Sequence, residues 1–297
     1  MHRVTCNEMR LDFSVIPVSP LFIPGDQGES RRFARAVHPG SGQVSLYIPA
    51  SALKGTLRRA AEDVLEGAGL DCCTRENPCS ARDVVKSARG AAEIYRALCP
   101  ACRLFGSQAM RSHVILTDAF PAEAVDPAAS RRNEGDETVI DLPFYSTLSL
   151  RNFERWQVGL FSLIMSRINL AEVQLGANRS TGMGCITVRY SHVSLLYPGL
   201  EPNHKQQELL RTRLHGVGQL MGSDNPYGFV YPDAADTQDL PDSAEFDMGM
   251  GVSAVTITAE ATDEEPDNDP AHSLIDNILT SQALAWGSYV RAQKVPR

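Results

Sequence analysis

The chain has 297 residues, 43% of them hydrophobic, and a formal net charge of −8. That content is ordinary for a globular protein that buries a core, as one large domain or two small ones. No run of about 18 apolar residues occurs, which excludes a helical membrane span. The opening Met1–Glu8 segment lacks the apolar core of a secretory signal, so a cytoplasmic location is expected. The charge is uneven: residues 1–110 carry a net +3, residues 111–190 a net −1 and residues 191–297 a net −10. An acidic final third therefore masks a mildly basic front, and phosphate binding depends on local potential rather than on total charge.

In chain order, Val4–Val18 reads as a strand, with alternating Leu11, Phe13 and Val15 and a stop at Pro17 and Pro20. A polar loop from Pro24 to Arg32 holds Asp26 and Glu29. A hairpin follows: Phe33–Val37, a Pro39-Gly40-Ser41-Gly42 turn with His38 at its tip, where a surface rather than a catalytic histidine is expected, then Val44–Ile48. Ser51 is expected to cap a helix running to about Glu66, with Leu53, Leu57, Ala61 and Val64 on one face, ended by Gly67 and Gly69. A helix over about Ala81–Leu98 and a strand at His113–Ala119 come next, then an exposed excursion over 121–138 and an extended run at Thr138–Leu150.

Phe153–Leu170 is the clearest helix, with Trp156, Leu160, Ile164 and Ile168 recurring every four residues. A glycine-bearing loop, Gly176–Gly184, leads into a strand over 185–196. Beyond Pro198 the pattern predicts a polar helix at 206–214, an acidic loop at 224–247, a strand at Val252–Thr258 and a last helix at about Ser273–Val290. Two helices among antiparallel strands make an α+β fold of the βαββαβ type, ferredoxin-like or RRM-like, with insertions accounting for the extra length.

Three groups of residues carry chemistry. The first is Tyr47-Ile-Pro-Ala-Ser51-Ala-Leu-Lys54-Gly55-Thr56-Leu-Arg58-Arg59, a helix start with three cations. The free amides and partial positive charge of a helix N-terminus favour phosphate. Gly55 costs about 1 kcal/mol inside a helix, so a close backbone approach is expected there. The second is the cysteine cluster. Five of the seven cysteines lie between Cys72 and Cys102, and Cys73, Cys79, Cys99 and Cys102 have the layout of a four-thiolate structural zinc site, with Cys72 as a substitute ligand. Such a closed site leaves no open position for catalysis.

The third group is the loop 176–184. Gly176, Asn178, Arg179, Ser180, Thr181 and Gly182 combine donors for phosphate or a ribose 2′-hydroxyl with glycine amides that allow close contact. No Walker, dinucleotide-binding, HExxH or GxSxG pattern is present, so nucleotide hydrolysis and esterase chemistry have no local support. Carboxylates able to position a metal-bound water are few, Asp26 and Glu29 in the loop after the first strand.

In this order the three groups resemble the repeat-associated mysterious protein (RAMP) superfamily, and within it the backbone subunits of CRISPR effector complexes. The residues that carry the resemblance are Tyr47–Arg58, Cys99-Pro-Ala-Cys-Arg-Leu-Phe-Gly106 and Gly176–Gly184, spanning about residues 5–195. The resemblance implies an RRM-like palm over 1–198, with a zinc-binding insertion at about 70–105 and a thumb hairpin at about 117–146. An acidic extension over 199–297 would pack on the palm. It implies a subunit that polymerises with copies of itself along a guide crRNA, beside other effector subunits, and presents the guide to a complementary target nucleic acid. Ser51, Lys54, Arg58, Arg59 and the 176–184 loop would hold the guide backbone. Target-RNA-cleaving members use an aspartate in the loop after the first strand, so a metal-dependent endonuclease acting through Asp26 is the alternative. A zinc-stabilised protein-binding fold is a third reading.

Overall fold

The structure, a computed structural model, describes residues 4–25, 33–74, 76–126, 140, 142–198, 213–222, 225–229, 253–258 and 270–294. Its main sheet has five antiparallel strands in the order β4-β5-β1-β6-β7, with β1 at Glu8–Pro17, β4 at Val114–Leu116, β5 at Phe144–Arg151, β6 at Ile186–Tyr197 and β7 at Ser253–Thr258. Two helices punctuate it, α1 at Ala50–Gly67 and α5 at Arg155–Asn169. The chain order β1-α1-β4-β5-α5-β6 with the spatial order β4-β5-β1-β6 is the βαββαβ arrangement of RRM-like folds. A hairpin of β2 (Arg35–Val37) and β3 (Val44–Leu46) is inserted between β1 and α1.

Alternation dictates which face of the sheet is covered. Met9, Leu11, Phe13 and Val15 of β1 are buried, as are Leu148 and Leu150 of β5. A register shift between Asp12 and Phe13, opposite Ser191, lets Val188 and Tyr190 before it and Val193 and Leu195 after it all turn inward from β6. Helix α5 meets this face with Trp156, Leu160, Ile164 and Ile168, the four residues of the sequence stripe, all buried. Helix α1 adds Leu53, Leu57, Ala61 and Leu65. Leu53, Leu57, Met165 and Ile168 line one apolar cavity with Phe13, Val15 and Val188, so the two helices share a layer on one side of the sheet.

The helix ends have local causes. Helix α1 stops at Gly67, where Gly69 takes φ +69° and Leu70 N–H donates to the Leu65 carbonyl at 3.0 Å. Its start differs from expectation. Pro49, not Ser51, precedes the first turn, and the Ala50 N–H donates at 2.7 Å to the Asp118 carboxylate from the segment after β4. Helix α5 opens on a capping box, in which the Glu154 N–H donates to Gln157 Oε1 at 2.9 Å.

The predicted helix over Ala81–Leu98 is broken into a 3-10 turn at Cys79–Ala81, α2 at Asp83–Ser87 and α3 at Gly90–Ala97, the last opening on Gly90 at φ +83°. Helix α4 at Pro100–Phe105 follows. His38 is not a surface residue of the turn tip. It is buried, its Nδ1 accepts the Gly40 and Ser41 N–H groups at 3.2 and 3.3 Å, and its Nε2 donates to the Pro121 carbonyl at 3.0 Å.

After β6, a short α6 spans Val217–Met221, and the expected last helix is two, α7 at Pro270–Thr280 and α8 at Ala283–Lys294. The predicted helix at 206–214 falls almost wholly outside the described residues, as do the acidic loop at 224–247 and residues 127–139 and 141 of the expected thumb. The described parts of the last third are built into the palm. Strand β7 extends the sheet beyond β6, and Tyr289 of α8 stacks on Trp156 of α5 with ring centroids 4.1 Å apart.

Candidate RNA-binding surface and metal centre

Cys73 arrives on the irregular segment after α1, Cys79 at the start of the 3-10 turn, Cys99 just before α4 and Cys102 in its first turn. All four are buried, none is in a disulfide, and their sulfurs lie within 4.8 Å of one another. The sulfurs of Cys73 and Cys102 are 3.3 Å apart. Four thiolates about 2.3 Å from a tetrahedral ion stand roughly 3.8 Å apart, so this spacing fits one metal ion. Cys72 is half-buried and stands just outside the group.

The chemistry of the donors fits as well. Hydrogen bonding from Cys102, then from Cys72 and Cys79, holds the Cys99 thiol far below the usual thiol range. Cys102 is pushed far up, first by its hydrogen bond to Cys79. The crowded sulfurs thus share protons, and a bound cation is what allows all four to ionise together. This group can hold a metal ion.

The α1 start opens into a cavity of ≈ 480 Å³ whose wall includes Ser51, Lys54, Gly106, Ser107, Arg111 and Ser112. Lys54 donates to the Val114 carbonyl at 3.1 Å, which leaves two of its three N–H groups uncommitted by that bond. Partial burial, and then the charge of Arg58, lower the pKa of the Lys54 ammonium. Arg59 lies outside on α1, exposed and paired with Asp63 at 3.3 Å, an exchangeable surface contact. Arg58 does not face this surface. Its guanidinium turns to Glu62, the Gly106 carbonyl and the sulfurs of Cys73 and Cys102. The expected anion site at the helix amides is also altered, because the Asp118 carboxylate already occupies the first of them. Nor does a backbone approach Gly55 among the described residues: a Cβ placed there would meet none of their atoms within 4 Å.

The loop 176–184 holds a 3-10 turn, Arg179–Thr181, between Asn178 at φ 57° and Gly182 at φ 85°. Residues 178–182 are exposed, and Arg179 has no ion-pair partner among the described residues. The loop is seated on the segment after β1: Ala177 N–H donates to the Phe22 carbonyl and Gly184 N–H to the Pro20 carbonyl. The amides of Thr181 and Gly182 close the turn on Asn178 and Arg179. Several of the amides expected to meet an anion are therefore spent inside the protein, and the loop presents side chains instead. Leu175, at its root, lines the same small cavity as Leu53 and Thr56 of α1, so the loop springs from the flank of the cationic helix.

On the opposite face of the sheet, Asp12 accepts the Thr147 hydroxyl at 2.6 Å and faces His192 Nδ1 at 3.4 Å. Asp12 and Thr147, with Tyr145, Phe120 and Asp118, line a second concavity of ≈ 760 Å³ that carries no Lys or Arg. Asp26 and Glu29 lie outside the described residues. Sequence reading missed Asp118 and Arg111, for neither belongs to a periodic pattern or a motif. Asp118 meets Ala50 across 68 positions of chain.

An RRM-like palm with an inserted four-cysteine knuckle and a cationic helix start defines the class. The family model described as the RAMP superfamily matches residues 16–187, over half of the chain. The chain belongs to the RAMP superfamily. No curated protein matches it. Similar solved structures include Csc2 of Thermofilum pendens, at 14% identity over 64% of this chain and 67% of that one, with a TM-score of 0.41. A chain of the Csm3–Csm4 subcomplex of the type III-A CRISPR-Cas interference complex has 16% identity over 65% of this chain and 80% of that one, with a TM-score of 0.37. A chain of a type IV-B CRISPR complex has 14% identity over 73% of this chain and all of that one, with a TM-score of 0.43.

Proposed function

We propose that this protein is a guide-RNA-binding backbone subunit of a CRISPR effector complex, assembling with copies of itself and other effector subunits along the guide. Ser51, Lys54 and Arg59 at the α1 start and Asn178, Arg179, Ser180 and Thr181 in the loop hold the sugar–phosphate backbone. A Zn2+ ion on Cys73, Cys79, Cys99 and Cys102 is structural, four thiolates in a closed tetrahedron being the donor set that suits zinc. Family membership supports the reading. The observation that carries it is the pairing of an open cavity containing Lys54 and Arg111 with an exposed Arg179 on the neighbouring loop that has no ion-pair partner among the described residues.

A bound phosphate would offset the partial burial and, second to it, the Arg58 charge that lower the Lys54 pKa. Exposed aromatic rings are absent from both elements, which suits contacts to backbone rather than stacking on bases. The test is binding of the full chain to single-stranded RNA over a range of salt concentrations. Lys54→Ala and Arg179→Ala are each expected to weaken binding about tenfold, equally for unrelated sequences, and to reduce the log–log salt slope by about 0.7. RNA affinity indifferent to both changes would sink the proposal.

Gly55 supplies a second test, because its two expected effects have opposite signs. With free space around a new Cβ, Gly55→Ala should stabilise α1 by about 1 kcal/mol. The same methyl group stands between Lys54 and Arg59 where the RNA backbone would pass, so RNA affinity should fall. Thermal denaturation and RNA titration on the one variant read both; a rise in both quantities would place the RNA elsewhere.

A further inference from the structure

Arg58 belongs by sequence to the cationic helix start, yet each of its three nitrogens donates to a partner within the protein. Nε donates to Glu62 Oε1 at 2.9 Å and Nη1 to the Gly106 carbonyl at 2.8 Å. Nη2 reaches Cys102 Sγ at 3.3 Å and Cys73 Sγ at 3.6 Å, two sulfurs that stand 3.3 Å from each other. We propose that Arg58 is a positioning residue of the metal centre, which orients the thiolates of Cys73 and Cys102 and offsets their charge, and does not contact RNA. This rests on the reading of the four cysteines as a metal site.

The physical argument is one of charge and reach. Four thiolates around a divalent ion leave a net charge of −2 in a buried place, which is costly unless donors or cations stand close by. A guanidinium is always charged, and its rigid fork can serve two sulfurs and a carbonyl at once. Arg82, held by two hydrogen bonds to Asp71, adds a further positive charge that interacts with Cys79 and Cys99. Glu62 and the Gly106 carbonyl fix Arg58 from behind, so the guanidinium links α1, the knuckle and the wall of the Lys54 cavity.

The test uses the full chain loaded with Co2+, which reports thiolate ligation by its charge-transfer absorption, in competition with a chelator. Arg58→Ala is expected to weaken Co2+ binding about 10–100-fold. It should also move the charge-transfer band to lower energy, because two thiolates lose a hydrogen-bond donor and become easier to oxidise. Arg58→Lys keeps the charge but not the fork, so part of the affinity should return while the band stays displaced. If the alanine variant fails to fold, the lysine variant carries the same two readouts. The salt slope of RNA binding should match the wild type in whichever variant folds.

Wild-type Co2+ affinity and band energy in the variants would overturn the proposal. So would a salt slope lower by about 0.7, the mark of a lost phosphate contact. Absence of any thiolate band in the wild-type protein would instead overturn the metal reading, and the role of Arg58 with it.

Discussion

Chelation of the metal, or Cys99→Ser or Cys102→Ser, is expected to lower the melting temperature by about 8–16 °C. A structural metal bound only by the folded chain contributes its binding energy to folding. A loss of about 4 kcal/mol corresponds to roughly 8–16 °C in a domain of this size class. The effect should be large because the cluster is tied to the core. Arg103, next to Cys102, donates to the carbonyls of Tyr95, Arg96 and Leu98 and lies over the Tyr95 ring, 5.2 Å from its centroid. The buried Tyr95 hydroxyl in turn donates to Glu154, the residue that caps α5. Loosening Cys99–Cys102 therefore frees Arg103, then Tyr95, then the start of the principal core helix.

The measurement is thermal unfolding with and without chelator, alongside metal content of the purified chain. Four ordinary buried thiols would behave differently. A chelator would then change nothing, and a serine substitution would cost only about 1–3 kcal/mol, the desolvation of an imperfectly satisfied buried hydroxyl.

Gly184→Ala is expected to cost about 3 kcal/mol or more and to abolish tight RNA binding with Arg179 still present. Gly184 sits at φ +84°, where a side chain is strained by roughly 1–3 kcal/mol. A Cβ there would also stand 2.1 Å from the Leu175 carbonyl oxygen, a backbone atom that cannot swing aside. Gly176 is confined in the same way, with a Cβ 2.3 Å from the Phe22 carbonyl oxygen. These glycines seat the loop on residues 20–23, and displacing it moves Arg179 away from α1. Denaturant unfolding and RNA binding measured on Gly184→Ala and on Arg179→Ala separate the two causes. The first should lose stability and affinity together, the second affinity alone. A Gly184→Ala protein of wild-type stability would show that the loop is not held in this way.

Much of this was legible in the chain itself. Alternation in β1 and the four-residue recurrence from Trp156 to Ile168 mark a buried face directly, and both faces are buried. Gly67 and Gly69 end α1 because one of them takes a positive φ that other residues resist. The spacing of Cys73, Cys79, Cys99 and Cys102 pointed to a four-sulfur group, and those sulfurs meet. Where the reading departed from the structure, a distant residue intervened. Asp118 replaced Ser51 as the group that meets the first amide of α1, and a polar residue beside a proline is all that the sequence offers there. His38 was placed at the surface because it sits in a turn, but the Pro121 carbonyl draws it inward across 83 positions.

What the sequence determined by itself was the βαββαβ order, the faces its elements bury and the residues able to bind phosphate or metal. Only the tertiary structure decided how those residues are divided. Arg58, one helical turn from Lys54, is turned onto sulfurs that lie 15 and 44 positions away, while Arg179 stays exposed at the surface. The strand order, the seat of the 176–184 loop and the addition of β7 to the sheet were decided in the same way. Periodicity reports that a face is buried, but a hydrogen bond between residues far apart in sequence leaves no period to read.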